Sequence, residues 1–126
     1  MIFVDRSVPK SVAEALQKVR DDVYWLEDVW IFGHDTPDEF WAFHVGVANW
    51  LVVSRDKKLR YRPAERAKLI RAGCGAFVFT QKADPKKWDY LKLLGSNLDE
   101  MEEIFARLPR PFIYAIQHGG ALVKVF

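Results

Sequence analysis

Trp50-Leu51-Val52-Val53-Ser54-Arg55-Asp56 is the stretch that decides the fold. Its apolar run lacks the polar alternation of a half-exposed strand, so it reads as a central parallel strand covered on both faces and stopped by a charged pair. Helix signals flank it. Upstream, Thr36-Pro37-Asp38-Glu39 opens a helix running to about Asn49, with Thr36 as N-cap, proline at the first helical position and two carboxylates near the positive end of the dipole. Downstream, Pro63 to Arg71 forms a helix closed by Gly73, and Ala76-Phe77-Val78-Phe79-Thr80 supplies the next strand.

The same alternation extends to both ends. Ile2-Phe3-Val4 is a short buried strand stopped at Asp5. Ser11 and Glu14 have capping-box spacing at the start of a helix whose apolar face is Val12, Ala15, Leu16 and Val19, ended by Asp21-Asp22. Val23-Tyr24-Trp25-Leu26 is a second strand, followed by a loop or strand extension from Glu27 to Asp35. Asp84-Pro85 opens a further helical stretch, continued by Leu98, Met101, Ile104, Phe105 and Leu108, which Gly95-Ser96-Asn97 is placed to break in two. Phe112–Ile116 and Ala121–Val125 flank Gln117-His118-Gly119-Gly120, a hairpin signal for an antiparallel pair at one edge. Four strand–helix cycles without repeat or linker predict one α/β domain over residues 1–126, with a mostly parallel sheet. Trp25, Trp41, Trp50, Trp88, Phe77 and Phe79 are assigned to its core.

Composition narrows the class. At 126 residues, 50% hydrophobic, the chain can bury one core and not two large ones. A net charge of +2 is too mild by itself to announce a nucleic-acid binder or a membrane-surface protein. A lone cysteine, Cys74, excludes an internal disulfide and a Cys-based zinc site. With charge at Asp5-Arg6, where a leader needs apolar length, and no apolar run near the roughly 18 residues of a membrane span, the expectation is a soluble cytoplasmic protein.

Charge placement is more informative than its total. Ligands of open parallel sheets bind beyond the carboxyl ends of the strands, and acids stand at that end of two strands, Asp5 and Asp56. Asp38 and Glu39, at the start of the helix leading into the Asp56 strand, fall on the same side, so four carboxylates are predicted to converge. Glu39 also competes as the capping-box partner of Thr36, which leaves Asp38 the better ligand. Clustered oxygen donors without a His pair suit Mg²⁺ or Mn²⁺, and such an ion supports phosphodiester hydrolysis with no protein nucleophile. From Arg55 to Arg71, eight basic residues face two acidic ones, a local +6 beginning beside Asp56. A phosphate backbone is expected there, with Tyr61 available to stack on a base.

In Phe3-Val4-Asp5-Arg6-Ser7-Val8-Pro9, Thr36-Pro37-Asp38-Glu39-Phe40-Trp41, Trp50-Leu51-Val52-Val53-Ser54-Arg55-Asp56-Lys57 and Arg60-Tyr61-Arg62-Pro63-Ala64-Glu65, the chain resembles the PIN-like domain proteins, especially the VapC-type toxins of VapBC-type toxin–antitoxin systems. The likeness spans roughly the first 80 residues. It implies a PIN-like three-layer α/β/α sandwich and a Mg²⁺- or Mn²⁺-dependent endoribonuclease, a homodimer held inactive by a cognate antitoxin. Carried over by position, Asp5 and Asp56 would hold the ion, and Asp38 or Glu39 would bind it or position its water. Arg6, Arg55, Lys57, Lys58, Arg60, Tyr61 and Arg62 would contact the RNA. Where such nucleases often carry a further acid, this chain reads Phe79-Thr80-Gln81, so a three-acid site is implied. The competing expectation is a non-catalytic RNA- or protein-binding module on the same fold.

Overall fold

A computed structural model describes residues 1–59 and 61–126. Strands β1 (Ile2–Val4), β2 (Val23–Trp25), β3 (Leu51–Arg55), β4 (Gly75–Phe79) and β5 (Phe112–Ile116) are parallel, while β6 (Leu122–Lys124) pairs antiparallel with β5. The sheet order is β2-β1-β3-β4-β5-β6. The predicted α/β fold with an antiparallel edge pair is therefore the one observed. Because β2 lies on one side of β1 and β3 on the other, the connections leaving β1 and β3 diverge. That reversal opens a crevice at the carboxyl ends of these two strands.

Register sorts the strand residues into two faces. Phe3, Val52, Ala76 and Ile113 align on one, and Val4, Val53, Phe77 and Tyr114 on the other. On the first face Phe3 packs on Trp41 of helix α2 (Asp38–Val47), ring centroids 5.1 Å apart, and helix α3 (Pro63–Arg71) lies against α2. On the second, Phe79 meets the ring of Tyr90 edge-on at 4.8 Å. Tyr90 belongs to helix α4 (Lys87–Arg107), which packs beside helix α1 (Lys10–Gln17) and is tied by a 3.0 Å Glu102–Arg20 ion pair to the segment following α1. Helices thus cover both sides, and all of β4 is buried. The seam between α2 and α3 is tight: a Cβ at Gly46 would run into the Ala72 carbonyl oxygen. Cys74 is buried at the same seam with its thiol directed at the Ala42 carbonyl, and burial pushes its pKa up to about 12.

Local signals were less faithful than periodicity. Helix α1 starts at Lys10 after Pro9 without a side-chain cap, so Ser11 and Glu14 lie inside it and form no capping box. It stops at Gln17, leaving Val19 79% exposed rather than on the packed face. Pro37, not Thr36, is the N-cap of α2; the Thr36 hydroxyl accepts from Gly33 N–H at 2.7 Å instead, so the predicted Thr36–Glu39 box is absent. That helix ends at Val47, and Asn49 at φ 58° turns the chain toward β3. Leu26–Asp28 forms a 3₁₀ turn. Helix α4 starts at Lys87 and runs unbroken through Gly95-Ser96-Asn97, because Leu94, Leu98 and Met101 continue the buried stripe, while Ser96 Oγ and Asn97 Nδ2 are satisfied by donating back to the Lys92 and Leu93 carbonyls at 2.7 and 2.8 Å. Trp88, expected in the core, is 67% exposed on its first turn. No helix among the described residues is long and apolar enough to cross a membrane.

Candidate active site

Asp5 extends the Phe3 face of β1 by one alternation, and Ser54 extends the Val52 face of β3, so both side chains project toward α2 and α3. Asp5 is buried. Its Oδ2 accepts from Ser7 Oγ at 2.6 Å and Ser54 Oγ at 2.9 Å. Its backbone N–H donates to the Val53 carbonyl at 3.0 Å, and Arg55 N–H donates to Ser7 Oγ at 2.9 Å, stitching the turn after β1 onto β3. Oδ1 is buried and finds no donor among the described residues. A carboxylate oxygen left so is costly unless a cation or water meets it.

Asp38 is held from three directions. Oδ1 accepts from Trp41 Nε1 at 2.9 Å and from Arg6 Nη2 at 3.2 Å, and Oδ2 from Lys68 Nζ at 2.6 Å. The Arg6 guanidinium also donates to the Thr36 and His34 carbonyls at 2.6 and 3.2 Å, so one side chain fixes the entry to α2 and the acid that opens it. Burial alone would raise the Asp38 pKa, but the hydrogen bonds from Lys68 and Trp41, with the charges of Lys68 and Arg6, hold it below its ordinary value. Burial likewise opposes the Lys68 charge, yet the Asp38 hydrogen bond and the fields of Asp38, Asp56 and Asp5 hold its pKa above the ordinary value. The negative charge of all three aspartates reaches this ammonium.

These groups line one cavity of about 330 Å³ at the strand reversal, with Arg6, Arg55, Asp56 and Glu65 completing its polar wall and Trp41, Leu59 and Val78 its apolar one. Asp56 follows β3 and caps the next turn, its Oδ1 accepting from Lys58 N–H at 2.8 Å. Leu59 is buried and anchors that turn.

Of the sequence-predicted acids, Asp5, Asp38 and Asp56 share the cavity, while Glu39 is exposed and does not line it. The expected convergence into a coordinating cluster is not found: among the described residues no three His, Cys, Asp or Glu side chains are grouped to hold a metal ion. The reason is visible at Asp38, whose two oxygens are already taken by Arg6, Trp41 and Lys68. Of the predicted RNA contacts, Lys57, Lys58, Tyr61 and Arg62 are exposed, and Arg60 lies outside the described residues. The Arg55 guanidinium turns to the Gln81 carbonyl at 3.2 Å and to Asp84 at 2.9 Å. Ser7, Ser54, Glu65 and Lys68 are site residues the sequence reading missed. Ser54 could have been found by strand alternation, falling two residues before Asp56 on the same face, whereas Ser7 sits in the turn after β1, where no periodicity points to it.

Magnesium commonly takes one or two protein carboxylates and completes its shell with water and substrate phosphate. The unpartnered Asp5 oxygen, with Asp56 on the same cavity wall, fits such an open, sparsely ligated cation; an enclosed cage of three or four acids does not fit.

A three-layer sandwich with a cavity at its strand reversal, lined by acids and bases together, defines the class as an α/β domain with a charged cleft beyond the carboxyl ends of its parallel strands. The family model for the PIN-like domain matches residues 1–81, and the chain belongs to that family, whose members are typically nucleases. No curated protein and no solved structure matches the chain. The matched span includes β1 to β4 and every residue lining the cavity.

Proposed function

We propose that the protein is a metal-assisted endoribonuclease, acting as the toxin of a type II toxin–antitoxin pair in the cytoplasm. The observation that carries the nuclease reading is the shared cavity of Asp5, Asp38 and Asp56, in which one buried Asp5 oxygen lacks a partner. Asp5 and Asp56 would hold Mg²⁺ or Mn²⁺, with Asp38 joining or positioning water; the bound ion would neutralise the scissile phosphate and acidify a water. Ser7 and Ser54 occupy Asp5 Oδ2 and so leave Oδ1 for the cation. Arg6 fixes Asp38. Beside the cavity, exposed Lys57, Lys58, Tyr61 and Arg62 offer phosphate contacts and a stacking surface, and Lys82 lies over the Tyr61 ring at 5.9 Å.

A protein partner is supported by apolar groups left in water: Trp30, Phe40, Phe43 and Val47 are 92%, 45%, 58% and 69% exposed. Three of the four lie on α2, and a cognate antitoxin or the second copy of a homodimer would cover them.

Asp5→Asn tests the nuclease reading. It is expected to abolish Mn²⁺-dependent cleavage of single-stranded RNA while the circular dichroism spectrum is retained; undiminished cleavage removes Asp5 from the mechanism. The second reading, a non-catalytic binding module, is favoured by the full engagement of Asp38. It requires RNA or protein binding with no rise in melting temperature on adding Mn²⁺.

A further inference from the structure

Lys68 stands where the fields of three carboxylates meet. Its Nζ is 2.6 Å from Asp38 Oδ2, its side chain is only 21% exposed, and it lines the cavity that Asp5 and Asp56 share. Like charges gathered in a partly buried pocket repel, so these acids need a cation for the cavity to hold its shape. An ammonium on a flexible four-carbon stem can supply that charge and can also leave. Glu65 lies one turn earlier on α3 and lines the same cavity, three residues from Lys68, the spacing at which a withdrawn ammonium would have a second carboxylate beside it.

We propose that Lys68 is the built-in cation of this site, holding the acids in place in the metal-free protein, and that a divalent ion completes its coordination only by displacing the ammonium from Asp38. The inference rests on the metal reading given above and explains why the described residues form no three-donor group. Arg6 stays on Asp38 Oδ1, so the exchange frees Oδ2 alone. Metal affinity is then set by a competition within the chain as well as by the number of acids.

Mn²⁺ binding to the full chain, followed by calorimetric titration and by the paramagnetic resonance of free Mn²⁺, tests this in the wild type, Lys68→Met and Lys68→Arg. Removing the competing charge in Lys68→Met is expected to tighten Mn²⁺ binding about tenfold or more and to lower the melting temperature in EDTA. Lys68→Arg, which keeps a cation there, is expected to bind Mn²⁺ as weakly as the wild type. Adding Asp5→Asn to Lys68→Met should remove the gain; a gain that persists places the ion elsewhere and overturns the proposal. Equal, measurable affinity in wild type and Lys68→Met overturns the competition and leaves the metal reading standing. If neither binds Mn²⁺ although both are folded, both readings fail.

Discussion

The Ser54 hydroxyl on β3 donates a 2.9 Å hydrogen bond to the carboxylate of Asp5 at the end of β1, joining residues 49 apart in sequence across two parallel strands. Ser7 donates to the same oxygen, so two hydroxyls solvate a charge that burial would otherwise disfavour. Ser54→Ala removes one of them without adding volume. The expected cost is about 1.5–3 kcal/mol of unfolding free energy, the range for a hydrogen bond to a charged group, measured by urea denaturation with an unchanged denaturant slope.

Asp38 gives stability a pH dependence with a defined sign. Its carboxyl titrates below the ordinary 3.8, so its contribution is complete above that value and fades as pH falls through the lowered one. Wild type is therefore expected to exceed Asp38→Asn in melting temperature by most at neutral pH, with the gap closing as pH drops below about 4. A gap that widens on acidification contradicts the ion-pair account.

Gly46→Ala probes the α2–α3 seam. The added methyl meets the backbone carbonyl of Ala72, which cannot rotate away as a side chain can. Although alanine is the better helix former, a loss of about 1–3 kcal/mol is expected, the usual cost of overpacking. Thermal or urea unfolding reads it directly, and a stabilised variant would show that the seam can open to admit a methyl group.

Tyr61→Ala is expected to weaken binding of a short single-stranded RNA by roughly tenfold, within the range for one base stacked on an aromatic ring. Tyr61→Phe should bind like the wild type, and duplex RNA should be indifferent to both. Fluorescence anisotropy in EDTA measures this apart from cleavage.

Fold class was legible in the sequence because burial on both faces leaves a composition that no solvent-facing strand shows: Leu51-Val52-Val53 and Ala76-Phe77-Val78-Phe79 carry no polar interruption. Helix ends were not, since two proline-preceded helices dispensed with the side-chain caps that Ser11 and Thr36 advertised. The three aspartates were legible from their places at element ends. Lys68 was hidden because a basic residue among eight in one window looks like solvated charge; only the packing of α3 against α2 distinguishes it from Arg66 or Arg71. Trp88 misled for the opposite reason, a large ring at a helix start being read as core when its turn faces water.

Every residue of the cavity wall lies between Asp5 and Val78, whereas α4 covers the opposite side of the sheet and β5 and β6 extend its edge. Chemistry and ballast are thus partitioned along the polypeptide. Beyond its first turn, where Lys87 and Tyr90 border Arg6 and Ser7, substitutions on α4 can raise or lower the melting point while the acidic pocket keeps its shape, which makes the later turns of that helix the place to engineer robustness without retuning the reaction.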